Sequence, residues 1–157
     1  MTMLRLIAFR FFALMLVLWT GAGLHESLSG HFGWWADPVA YVAAPPPPGM
    51  INAWPFTTMT FLLATVTAAI CLRGYAGEGK REAVIALAGA GIVLAATLGF
   101  FVPQLAVVGD PSLDADALVA TSRRWIALNA LRTVVLLVLG WYALIALARF
   151  TPARSAG

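Results

Sequence analysis

The stretch from Trp125 to Ala148 is 24 residues long and holds a single charge, Arg132. A run of that length crosses a bilayer core of ~30 Å as a helix, because a helix satisfies its own backbone in lipid. Arginine stays protonated, and a charge at the bilayer centre costs at least ~2.5–3.5 kcal/mol. The fold therefore has to surround Arg132 with groups that receive it. Trp125 and Asn129 share its helical stripe, the three residues standing at offsets i, i+4 and i+7.

Three more apolar runs precede this one. Leu6 to Leu24 carries only Arg10 and continues through His25 and Glu26 to Gly30. Arg5, Arg10 and the apolar stretch are also the pattern of a secretory signal, but Gly21-Ala22-Gly23 makes a poor cleavage site, and the segment is read as retained. Pro55 to Leu72 holds no charge and opens on proline, whose missing N–H suits a first helical turn; Trp54 just ahead marks an interface. Ala83 to Val108 has no ionisable residue. Its Gly91, Ala95 and Gly99 predict a close-packing face, and Pro103 beside Gln104 predicts a kink that frees a carbonyl or opens a wedge.

Composition agrees with that pattern. The chain is 61% hydrophobic and 11% charged, with a mean hydropathy of +0.87, whereas a soluble domain carries about 25% charge. The expected fold is all-α, a four-transmembrane-helix up-down bundle. Residues 1–157 form a single membrane domain with spans near 6–29, 55–73, 83–108 and 124–149, and external loops at 30–54 and 109–123. The scattered Lys and Arg residues make no basic stripe, which excludes nucleic acid as a partner. Cys71 is the single cysteine; it reads as a small packing residue.

The cations set the orientation. Arg5, Arg10, Arg73, Lys80, Arg81, Arg149 and Arg154 fall on one side of the spans with Glu78 and Glu82, and the opposite side holds Glu26, Asp37, Asp110, Asp114, Asp116, Arg123 and Arg124. Positive residues stay inside, so both termini are expected to be cytoplasmic, in a bacterial cytoplasmic (inner) membrane. The first external loop contains Trp34, Trp35, Tyr41 and the run Pro45 to Pro48, a stiff strut by composition. It fits either a cap lying on the bundle or a docking surface for a protein partner. Asp110-Pro111 in the second predicts the N-cap of a short surface helix.

Depth places the chemistry. Arg132 lies about 10 Å below Trp125 at 1.5 Å per residue. Polar groups near that depth on the other runs are His25 and Glu26, Thr57 and Thr58, and Gln104. Glu26 is the natural counter-ion for the guanidinium, and the pair reads equally as a structural clamp. The predicted pocket sets Arg132, Asn129, His25 and Glu26 at the reacting centre, with Trp125, Trp54, Thr57 and Gln104 against a small hydrophobic ligand. No cofactor is expected. A non-haem iron or copper site at His25, Glu26 and His31 is the alternative, but on a helix the two histidines would point about 120° apart. Cys71 has no histidine at its depth, and no serine sits in a nucleophile elbow.

The pattern Trp125-x-x-x-Asn129-x-x-Arg132-Thr133 resembles that of four-helix membrane proteins grouped with the anthrone oxygenases. The glycine-bearing first span, the long external loop and the Trp54-Pro55 turn are similar as well. The resemblance implies a four-helix fold and O2-dependent oxidation of polycyclic anthrones without an obvious cofactor, in a family where many members have no assigned activity. Arg132 and Asn129 would then stabilise an enolate while His25 or Glu26 removes its proton. The competing expectation is a non-catalytic subunit of a larger membrane assembly, docked through the Trp34/Trp35 and Pro45 to Pro48 loop.

Overall fold

The computed structural model describes residues 1–29, 31–44, 54–108 and 113–150. Helix α1 is Met3–Ser29, followed by two short helices, α2 (His31–Ala36) and α3 (Pro38–Ala43). Helix α4 is Trp54–Cys71 and α5 is Lys80–Ala96. A π-helical turn at Thr97–Phe101 joins α5 to α6 (Val102–Val108), and α7 runs without a break over Ala115–Arg149. No strand occurs among the described residues. Met3–His25, Lys80–Val108 and Ala115–Arg149, of 23, 29 and 35 residues, are long and apolar enough to cross a membrane, and Pro55–Cys71 is a shorter apolar helix.

Helix α1 packs against α4 and α7, α5 against α7 and α4, and the pair α2–α3 folds onto α7. The ends meet in an orderly way. Arg5 Nε donates to the Cys71 carbonyl at 2.9 Å, so a cation closes the last turn of α4. Arg149 pairs with Glu82 at 2.6 Å, tying the end of α7 to the start of α5. Gly79, with φ of 77°, turns the chain into α5; a Cβ there would stand 2.8 Å from the Ala146 carbonyl oxygen. The Tyr75 hydroxyl donates to the Glu78 carbonyl at 2.8 Å, and its ring meets Phe150 edge-on.

The interior divides in two. One apolar cluster, nearer the Arg149 end, collects Phe9, Phe12 and Leu16 from α1, Phe61 and Ala64 from α4, Ala86 and Ala90 from α5, and Leu136 and Leu139 from α7. A smaller one at the opposite end joins Trp34, Phe101, Val108, Leu118, Trp125 and Ile126. Between them along α7 lie the buried polar residues Asn129, Arg132 and Thr133. The outward faces are apolar instead: Phe56, Leu63, Ile70, Ile92, Leu131 and Trp141 are all exposed. Such surfaces are compatible with contact to lipid.

Two expectations need correction. Gly91, Ala95 and Gly99 are exposed, and a Cβ added at Gly91 or Gly99 would meet nothing within 4 Å. The face of α5 that packs is Ala83, Ala86, Ala90 and Leu94, with Gly89 set against the Leu139 side chain. Small residues surround this helix on every side, so four-residue spacing alone does not select the face. The second correction concerns 109–123: α7 begins at Ala115, and Asp114 caps it by accepting from the Ala117 N–H at 2.8 Å. Nothing between Ala115 and Trp125 breaks a helix, so there is no separate surface helix there; Asp110 and Pro111 lie outside the described residues. Of the two adjacent tryptophans, Trp34 is buried and Trp35 is exposed.

Candidate functional site

Pro103 shapes the site from a distance. It has no N–H to donate, and its ring would collide with the carbonyl four residues back, that of Gly99. The chain relieves this by widening one turn: Val102 N–H donates to the Thr97 carbonyl, five residues back. Such π-turns are frequent at functional sites. Here the turn brings Thr97 and Phe101 to face α7.

Arg132 is buried, at 6% exposure, and its guanidinium lies between rings. Its central carbon is 4.9 Å from the Phe101 ring centroid and 5.4 Å from that of Trp19 on α1. Nη1 donates to Thr97 Oγ1 at 3.5 Å. That hydroxyl is free to accept because its own proton goes to the Val93 carbonyl at 2.7 Å. Cation–π contacts are worth about 2 kcal/mol when desolvated, so two rings offset much of the cost of burying the charge.

A chain of rings continues on both sides. Phe61 holds Trp19 at 4.6 Å from below. On the other side Phe101 meets Trp125 at 6.1 Å, and the Trp125 indole N–H donates to the Phe101 carbonyl at 3.3 Å. Trp125 packs on Trp34 at 5.1 Å, and Trp34 stacks on Tyr41 at 5.3 Å and 11°. Asp37 caps α3 by accepting from the Ala40 N–H at 3.0 Å, and Pro38 follows it, so these two residues fix the helix that carries Tyr41. The segment after α1 thus begins as an aromatic cap over the site.

Asn129 is the residue the packing does not explain. It is fully buried, and neither its amide nitrogen nor its amide oxygen has a hydrogen-bond partner among the described residues. Burying an amide in that state costs roughly 1–3 kcal/mol. The threonines behave differently. Thr20, Thr65, Thr97 and Thr133 each return the hydroxyl proton to a carbonyl four residues back in their own helix, at 2.6–3.0 Å. The hydroxyls of Ser122 on α7 and Thr58 on α4 do not, and both are buried with no partner among the described residues. Ser122, Trp125, Asn129 and Arg132 occupy one buried stripe of α7.

Thr57 is half-buried on α4. Gln104 is half-buried on α6 and shares a groove with Trp125. His25 is exposed near the end of α1. The backbone of Glu26 belongs to α1, three residues beyond Gly23, whose added Cβ would stand 3.2 Å from Thr133 Oγ1 on α7. The side chains of Glu26, His31 and Trp54 lie outside the described ones, as do the residues Pro45 to Pro48. The Glu26–Arg132 pairing and the metal alternative at His25, Glu26 and His31 fall with them. Trp19, Thr97, Phe101 and Ser122 were not singled out from the sequence. Pro103 was the available signal for Thr97 and Phe101, since a proline inside an apolar run widens or bends the turn before it.

The centre is therefore a planar cation held between aromatic faces, with an amide whose hydrogen-bonding capacity is unused by the described residues. It suits a flat ligand carrying an oxygen that accepts from Arg132 and Asn129. No protein-family model matches the chain, and neither a curated protein nor a solved structure matches it.

Proposed function

We propose that this chain is an integral membrane protein with four antiparallel spanning helices and both termini cytoplasmic, which binds a small aromatic, enolisable molecule at Asn129 and Arg132 and oxidises it with O2. The Asn129 amide carries the reading: it is fully buried and unpartnered among the described residues, on the same stripe as a ring-flanked guanidinium. A carbonyl or enolate oxygen bound there recovers hydrogen bonds that the folded chain lacks. The rings of Trp19, Phe101 and Trp125 supply flat apolar walls. Helix α4 is read as the fourth span, with Trp54 at its interface and Thr57 and Gln104 at the ligand.

In this scheme Glu26 or His25 takes a proton from the substrate CH2, and Arg132 and Asn129 stabilise the enolate oxygen. The carbanion carbon bonds to O2, and the resulting peroxide anion takes up a proton. Loss of water then breaks the remaining C–H bond and leaves a carbonyl. An anthrone plus O2 gives a quinone plus water, with no external reductant. A metal is not required.

Asn129→Leu separates function from folding. The variant removes the amide at similar volume, so the full chain in nanodiscs is expected to gain about 1–3 kcal/mol of stability. Binding of anthrone, read by tryptophan quenching, should weaken about tenfold or more. A variant that is less stable and binds as wild type overturns the reading.

A second reading is a non-catalytic subunit that docks through the cap, favoured by the exposure of Trp35, Val39 and Tyr41 on its outer surface. Co-purification with a partner at fixed stoichiometry, abolished by Trp35→Ser, distinguishes it from the enzyme reading.

A further inference from the structure

Beside the buried centre, α6 and α7 part to form a groove of about 250 Å³, which borders the proposed ligand site at Gln104 and Trp125 and extends beyond it to Thr121, Arg124 and Leu128. Its polar wall is Thr121, Arg124 and Gln104, and its apolar wall is Phe100, Trp125 and Leu128. Along α7 these run in order: Thr121 and Arg124 come first and Leu128 lies one turn deeper. Past Leu128 the same face continues into Leu131 and Val135, both exposed. The groove is thus polar and cationic at its head, and it opens onto an apolar track.

Two adjacent arginines at this level have different settings. Arg123 lies over the Trp35 ring of the cap, 5.7 Å from its centroid. Arg124 is exposed, lines the groove and forms no ion pair among the described residues. Asp114 and Asp116, at the start of α7, lie about 12–15 Å further along the axis at 1.5 Å per residue.

We propose that this groove binds one anionic membrane lipid. The phosphate is received by Arg124 with Thr121, and an acyl chain lies along Leu128, Leu131 and Val135. Charge complementarity selects the anion, and the apolar track below it selects an amphiphile over a free phosphate. The site rests on the membrane placement proposed above but not on the enzyme reading.

The test uses the full chain in nanodiscs of equal phosphatidylglycerol and phosphatidylcholine, with native mass spectrometry counting the lipid retained. Wild type is expected to retain phosphatidylglycerol about fivefold over phosphatidylcholine, the scale of one cation near a membrane surface. Arg124→Gln, an exposed substitution that leaves the core intact, should abolish that preference, and Arg123→Gln should keep it. Equal retention in wild type, or an unchanged preference in Arg124→Gln, overturns the groove. Full displacement of the lipid by soluble glycerol phosphate overturns the acyl part. If these failures occur in a protein that resists carbonate extraction from membranes, they overturn the groove alone; a chain that carbonate extracts overturns the membrane placement as well.

Discussion

Thr97 and Arg132 are joined across the interior by a hydroxyl that donates to its own helix and accepts from the guanidinium, at 2.7 Å and 3.5 Å respectively. The π-turn makes the relation possible, and Pro103 makes the π-turn. Sequence, local backbone and buried charge are connected in that one contact.

Replacing the hydroxyl should register in stability. Thr97→Val keeps the shape and removes the acceptor; at this long distance the loss is expected to be about 1 kcal/mol. Unfolding in mixed detergent micelles measures it. Thr97→Ser should behave as wild type, and a valine variant of wild-type stability would remove the contact from the account.

Pro103→Ala restores the missing N–H and lets the widened turn relax toward regular helix. Phe101 would then rotate away from α7, and Trp125 would lose its carbonyl partner. The indole N–H resonance of Trp125, assigned with Trp125→Phe, should move upfield. Ligand affinity is expected to fall about tenfold, the worth of one good hydrogen bond, without loss of overall stability. An unmoved resonance would show that proline does not maintain the turn.

Charge alone does not replace the guanidinium. Arg132→Lys keeps the cation, but a compact ammonium cannot lie flat between Trp19 and Phe101. A destabilisation of about 1 kcal/mol is expected, together with loss of anthrone binding. Full binding by the lysine variant would mean that the rings serve only as packing.

The opposite end provides a control. Gly79→Ala forces a Cβ onto a residue at φ of 77° and against the Ala146 carbonyl. The left-handed backbone alone costs about 1–2 kcal/mol, so the chain should lose at least that much stability. Affinity at Asn129 and Arg132 should remain unchanged, because the first apolar cluster separates the two ends. Equal losses in both would show that the ends are coupled.

The stripe Trp125, Asn129, Arg132 was legible because helical periodicity fixes it and one charge in an apolar run stands out. The helical runs were legible for the same reason. The receiving side was harder to read. Trp19, Phe101 and Thr97 sit in segments full of aromatic and small residues, where nothing in the composition says which ring turns inward. The small stripe of Gly91, Ala95 and Gly99 fits a packing motif yet faces outward, since Ala86 and Ala90 fit it as well. Trp34 and Trp35 were indistinguishable as neighbours; in the fold the first is the one that packs on Trp125 and Tyr41.

The threonine back-bonds bear on the order of assembly. A buried hydroxyl that bonds back into its own helix, as Thr20 does on α1 and Thr65 on α4, adds little to the cost of setting that helix in an apolar surrounding. Helix α7 carries a larger cost, because the Asn129 amide is buried with no partner among the described residues and the Arg132 guanidinium turns to Trp19, Thr97 and Phe101 elsewhere in the chain. It is also synthesised after Trp19, Thr97 and Phe101, which precede it in the chain. The chain's order thus delivers its costliest segment to a shelter that the earlier segments have made.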